Sequence, residues 1–155
     1  MPRRSPPQDS QEKSPYTAQP RLISAGELRF YHTVLEPSFG NRFYIGVQVP
    51  MTAVLRVNDE QWDRAAGRRI RQKRLDFVLA YAKTFRVAAV VELDDLSHRD
   101  SERRRRDRFV GRALQEAGVL LIRIPVYRKY DAKRIRAIVN RRLREQRMRD
   151  RAGGV

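Results

Sequence analysis

Glu92, Asp94 and Asp95, with His98 close behind, follow directly on the apolar run Val87 to Val91. Such a run reads as a buried strand, and carboxylates clustered at its end repel one another and are costly to desolvate. A cation resolves that conflict. A second apolar segment, Arg74-Leu75-Asp76-Phe77-Val78, contributes a further acid. Carboxylates with an open side suit Mg²⁺ or Mn²⁺, ions that keep several waters and accept a phosphate oxygen. An ion held this way activates water and neutralises charge on a scissile phosphate. The candidate metal ligands are therefore Asp76, Glu92 and Asp94, while Asp95 is read as turning the chain. An imidazole titrates near neutrality, which makes His98 the candidate for moving a proton or positioning water.

The elements that must position these groups are legible from patterning. Alternation puts Val90, Glu92 and Asp94 on one face of their strand, over about 86 to 94. The strand carrying Asp76, about 75 to 81, is joined to it through Ala82-Lys83-Thr84. So short a link predicts an antiparallel hairpin, which brings Asp76 towards Glu92 and Asp94. Upstream, Ser24 and Glu27 have capping-box spacing. Leu28, Tyr31, His32 and Leu35 mark one helical face, which Pro37 is expected to end. A strand follows over Phe43 to Val49, in which Gln48 either approaches the acidic cluster or faces outward, and residues 51 to 73 form a short helical insertion. Downstream come a helix from about Asp100 to Ala117 stopped by Gly118, an apolar strand Val119 to Ile124, and a basic helix over about 131 to 149. A hairpin followed by a helical crossover implies a mixed four-stranded α/β sheet flanked by helices.

The charge balance points to the partner. Lys and Arg number 34 against 18 Asp and Glu, a formal charge of +16. That excess favours a polyanion, with nucleic acid the expected one. Two basic runs stand next to the acidic segments. Arg68, Arg69, Arg71 and Lys73 precede Asp76, and Arg103, Arg104, Arg105 and Arg106 follow His98. Contacts from them to a phosphate backbone would be salt-sensitive and largely independent of sequence. Absence of cysteine excludes disulfides, thiolate zinc sites and a cysteine nucleophile. No apolar run approaches the roughly 18 residues of a membrane helix. The N-terminus lacks the apolar stretch of a secretory signal, so a cytoplasmic location is expected. Residues 1–20, with five prolines, read as a disordered tail, 21–130 as one domain and 131–150 as a helix packed on it.

Element order and acid placement together resemble the PD-(D/E)xK nuclease superfamily, the restriction-endonuclease-like fold. Its αβββαβ core carries an Asp at the start of the second core strand and Glu-x-Lys on the third. Asp76 and Glu92 match those places. The sequence is more similar to the branch of very-short-patch-repair endonucleases, whose third strand reads Glu-x-Asp and runs on to a His and an Arg-rich helix. Glu92-Leu93-Asp94, His98, Asp107, Gly118 and Arg123 occur here in that order. Leu22-Ile23-Ser24 with Glu27, Asp76-Phe77-Val78-Leu79, and Glu92-Leu93-Asp94-Asp95 with His98 also resemble domain-of-unknown-function family 2726.

The resemblance spans about residues 22 to 126 and implies metal-dependent hydrolysis of DNA, with Mg²⁺ or Mn²⁺ on Asp76 and Glu92. Related nucleases can also place a helical acid beside the metal, although Glu27 is read first as the capping acid. Asp94 stands where the superfamily has its lysine, and the nearest substitutes in sequence are Lys73 and Lys83. That departure keeps a second expectation alongside the first: a catalytically inactive nucleic-acid-binding module on the same fold. The oligomeric state is not legible in the sequence.

Overall fold

Ser24 and Glu27 close the capping box that their spacing predicts, and helix α1 (Ala25–Phe30) starts there. The structure, a computed structural model, describes residues 15–94 and 101–153, leaving aside the side chains of 101–107. Pro37 does not end the first helix. The chain passes through a π turn (Tyr31–Leu35) and continues as α2 (Glu36–Phe39). There the Glu36 N–H bonds to the Tyr31 carbonyl five residues back. The wider turn relieves the clash between a proline ring and the preceding turn that normally stops a helix. It also lets the consecutive Val34 and Leu35 both face inward, beside Phe30 and Phe39.

Strand β1 (Phe43–Pro50) leads into the insertion, which is a 3₁₀ turn (Met51–Ala53), α3 (Asp59–Trp62) and α4 (Ala65–Arg71). Strands β2 (Arg74–Tyr81) and β3 (Val87–Asp94) then form the expected hairpin. Helix α5 (Ser101–Glu116), strand β4 (Leu121–Pro125) and helix α6 (Ala132–Gly153) complete the chain. The sheet order is β1-β2-β3-β4. Its first two pairings are antiparallel and β3 pairs parallel with β4, so the sheet is mixed, as the helical crossover requires. Among the described residues no helix is long and apolar enough to cross a membrane.

Apolar side chains fill both faces of the sheet. On one, Phe77 and Val91 meet Phe30 of α1 and Val139 and Leu143 of α6. On the other, Val78 and Val90 meet Ile70 of α4 and Leu114 of α5. A fully buried Leu or Val contributes about 1.5–3 kcal/mol, enough to hold these arginine-rich helices on the sheet. Helix α5 ends in a Schellman motif. The Val119 N–H donates to the Leu114 carbonyl at 2.8 Å and the Gly118 N–H to that of Gln115 at 3.0 Å. Gly118 takes φ 70°, the left-handed position glycine suits. Helix α6 is capped by Asp131, whose Oδ1 accepts from the Arg134 N–H at 3.0 Å. Residues 15–20 belong to no helix or strand, and residues 1–14 of the expected tail lie outside the described residues.

Candidate functional site

One residue from each strand lines up across the sheet. Phe77 pairs with Val91, so the next step along the hairpin sets Asp76 opposite Glu92. Val47 pairs with Phe77 and Val49 with Leu75, which sets Gln48 opposite Asp76 on the other side. Glu92 in turn pairs with Arg123 of β4. The row Gln48–Asp76–Glu92–Arg123 is half-buried at its first three places and exposed at Arg123.

The two acids brace one another's strands. The Leu93 N–H donates to Asp76 Oδ2 at 2.9 Å, and the Asp76 N–H donates to Glu92 Oε1 at 3.3 Å. Each carboxylate thus accepts from the backbone of the neighbouring strand, so its position is set by the sheet rather than by a mobile side chain. Bonds of this charge-assisted kind are stronger than neutral ones.

Of the two sequence readings of Gln48, near the acids or outward-facing, the first fits its place opposite Asp76. The φ of Gln48 is 49°, unusual for a side-chain-bearing residue in a strand. The strand changes face there, since Val47 packs with the α1 side of the sheet and Val49 with the α5 side. The same switch occurs opposite, between Leu75 and Phe77. The Gln48 amide donates to Glu27 Oε1 at 2.6 Å, and Arg74 Nη1 donates to the Gln48 carbonyl at 3.1 Å. Glu27 therefore does two things. Its Oε2 accepts from the Ser24 N–H at 2.6 Å, closing the cap, and its Oε1 ties the helix to the bulge opposite Asp76. The sequence signal was an amide in an otherwise apolar strand, and Arg123 was likewise the one charge in its own.

The other candidate ligands and cations are spread over strand ends and helices. Asp94 is the last residue of β3, half-buried, about 6–7 Å further along the strand than Glu92, and its carbonyl accepts from the Val126 N–H at 3.0 Å. His98 and Asp95 lie outside the described residues. Arg103, Arg104, Arg105 and Arg106 occupy α5, and their side chains are outside the description. Arg68, Arg69 and Arg71 are exposed on α4. Arg69 lies over Phe109 of α5 at 5.6 Å, which brings α4 against α5. Arg71 is partly engaged by Trp62 at 5.1 Å and by Asp63 at 3.6 Å. Lys73 sits just before β2, three residues from Asp76. Lys83 is in the hairpin turn, at the far end of the strand from Asp76.

A cationic cleft of about 780 Å³ lies between α5 and α6, lined in part by Arg108, Arg112, Arg123, Arg142 and Arg149. Arg123 belongs both to this cleft and to the row, and is the residue they share. The basic face was legible in both helices separately. That they close on one cleft depends on β4 lying at the sheet edge between them.

A family model matches residues 19–143, which include all four strands and every residue of the row. The chain belongs to the family described as protein of unknown function DUF2726. No curated protein and no solved structure matches it. What this DUF2726 chain can do chemically must therefore come from its own geometry.

Among the described residues, no group of three His, Cys, Asp or Glu is placed to hold a metal ion. Asp76 and Glu92, however, are two carboxylates side by side on rigid strands, with Glu92 paired to a residue of the cationic cleft. Mg²⁺ binds to proteins through one or two carboxylates and completes its octahedron with water and phosphate oxygens. The pair fits that mode, whereas an all-protein cage would need donors these residues do not supply.

Proposed function

We propose that this chain is a divalent-metal-dependent DNA endonuclease with a restriction-endonuclease-like core. The observation that carries the reading is the Asp76–Glu92 pair, braced crosswise between two strands, with Glu92 paired to Arg123, a residue of the cationic cleft. Two adjacent half-buried carboxylates fixed by the sheet are apt as a ligand set.

Asp76 and Glu92 would hold Mg²⁺ or Mn²⁺, with Asp94 assisting. The bound ion supplies an acidified water and neutralises charge on the scissile phosphate. Everything else falls to the chain. Gln48, held by Glu27, fixes the β1 backbone opposite Asp76 and so limits how far that carboxylate can shift. Arg123 and the arginines of the cleft hold the phosphate backbone beside Glu92. Arg68, Arg69, Arg71 and Lys73, together with Arg103, Arg104, Arg105 and Arg106, extend that surface along α4 and α5. His98 positions the attacking water or takes its proton. In-line attack by water breaks the P–O3′ bond and leaves a 5′-phosphate, the superfamily's usual outcome.

The test is cleavage of plasmid and single-stranded DNA with Mg²⁺ and with Mn²⁺. Wild type should cut, and Asp76→Ala and Glu92→Ala should each abolish cutting. Metal-dependent cutting that survives both substitutions would sink the assignment. One observation supports a second reading, a non-catalytic nucleic-acid-binding module. Asp94 stands where a lysine is usual, and Lys83 lies at the opposite end of β2 from Asp76. Calorimetry separates the two, since the module would bind DNA with no metal titrating into the protein.

A further inference from the structure

The end of the sheet remote from Asp76 carries side chains that the fold does not require. In the turn joining β2 to β3, the Phe85 N–H donates to the Tyr81 carbonyl at 2.8 Å and the Tyr81 N–H to that of Arg86 at 3.0 Å. Phe85 takes φ 54°. Glycine or asparagine suits that position, and a bulky aromatic residue there is an outlier. Core packing does not compensate, because the residue is 64% exposed. Its ring lies 5.2 Å from that of Tyr44, a residue itself 55% exposed. An aromatic pair is thus presented to solvent on a strained turn.

Beside it stands a group of cations. Phe43 pairs with Tyr81, and Arg42, Lys83, Arg86 and Arg147 gather round them. Arg147 donates through Nε and Nη2 to the Tyr81 hydroxyl at 3.0 and 2.9 Å. Arg86 lies 5.4 Å from the Tyr81 ring centroid. Arg42 lies 4.5 Å from that of Phe43 and donates to Asn140 Oδ1 at 2.8 Å. Among the described residues none of these four cations is ion-paired with a carboxylate. Arg42, Lys83 and Arg86 line a pocket of about 570 Å³. Partial burial, then the charge of Arg147, pull the Arg42 pKa below its ordinary value, as like charges gathered without a counter-ion should.

We propose that this hairpin end is a binding surface for single-stranded nucleic acid, with phosphates seated among Arg42, Lys83 and Arg86 and unpaired bases stacked on Phe85 and Tyr44. Sequence-tolerant single-strand binding combines these two features, a cationic groove and exposed aromatic faces. A free anion would explain the pocket but not the ring pair, and a duplex keeps its base faces stacked inside. Tyr44 and Tyr81 lie on opposite faces of the sheet, so the rings and the pocket flank its rim and a strand crossing the rim meets both. The site is separate from the proposed metal pair, since Asp76 and Tyr81 are about 17 Å apart along β2.

The experiment is fluorescence anisotropy of the full chain, without divalent metal, on a labelled oligothymidylate and on a duplex of equal length. Phe85→Gly should keep or raise the melting temperature, because glycine is at ease at that φ. It should weaken oligothymidylate binding roughly ten-fold and leave duplex binding unchanged. Phe85→Asn, which also tolerates the turn, should do the same. The double variant Lys83→Gln/Arg86→Gln should weaken binding and flatten its salt dependence by about 0.7 in slope for each phosphate no longer neutralised. Because the assay contains no divalent metal, its result is read apart from the cleavage assay. Folded Phe85→Gly and Phe85→Asn that bind oligothymidylate like wild type would overturn the proposal. So would loss of binding only in the cation variant with inorganic phosphate competing, because that is the behaviour of an anion pocket alone.

Discussion

Replacing Asp76 by Asn tests the metal pair without dismantling the sheet. The variant keeps an oxygen for the Leu93 N–H, which Asp76 Oδ2 now accepts at 2.9 Å. A hydrogen bond to a charged group contributes about 1.5–3 kcal/mol and a neutral one about 0.5–1.5, so the exchange costs about 1 kcal/mol. Losing the charge also removes repulsion with Glu92. Two unit charges about 5 Å apart interact by roughly 1–3 kcal/mol at an effective dielectric constant between 20 and 80, before salt screening. These effects oppose each other, so in EDTA the variant should melt within about 4 °C of wild type, at about 3–4 °C per kcal/mol for a chain of this size. Metal is the decisive comparison. An ion at ten times its dissociation constant that binds only the folded state stabilises it by about 1.4 kcal/mol. Wild type should therefore melt about 5 °C higher with saturating Mn²⁺ or Mg²⁺ than in EDTA, and Asp76→Asn should show no such rise. Differential scanning fluorimetry across a metal titration measures both. An equal rise in the variant would refute Asp76 as a ligand, and no rise in wild type up to tens of millimolar would refute the metal reading itself.

Glu27→Ala should lower stability by about 1–2 kcal/mol, since it removes half the capping box and the Gln48 tether together, while Glu27→Gln should cost less; denaturant midpoints decide this. Arg123→Gln should weaken duplex binding and make the slope of log affinity against log salt about 0.9 less negative, the value for one phosphate that Arg123 neutralises. A slope unchanged by that substitution would remove Arg123 from the phosphate surface.

The secondary elements were largely legible because their signals are local. The Ser24–Glu27 spacing, the short link 82–84 and Gly118 each act through bonds spanning at most a few residues, and all three features are present. Pro37 misled for a related reason. Its penalty assumes an α-helical turn, and the π turn just before it changes the turn. That the hairpin brings Asp76 near Glu92 was readable too, but their facing one another rests on a register shift between Leu79 and Ala80, since the register at the turn alone would set Asp76 opposite Val91.

The acids, the basic excess and the hairpin are thus properties of the sequence by itself. The rest of the row was not, because no local signal aligns strands that are distant in the chain. Glu92 meets Arg123 only through the parallel β3–β4 pairing across a helical crossover. Gln48 meets Glu27 only once β1 is seated at the edge and bends at a positive φ. Arg147 reaches Tyr81 across 66 residues because Val139 and Leu143 lay α6 on the sheet. Sequence chose the chemical groups, through residue type and short-range backbone preference. Tertiary packing, which depends on apolar burial summed over the whole domain, decided which of them stand together.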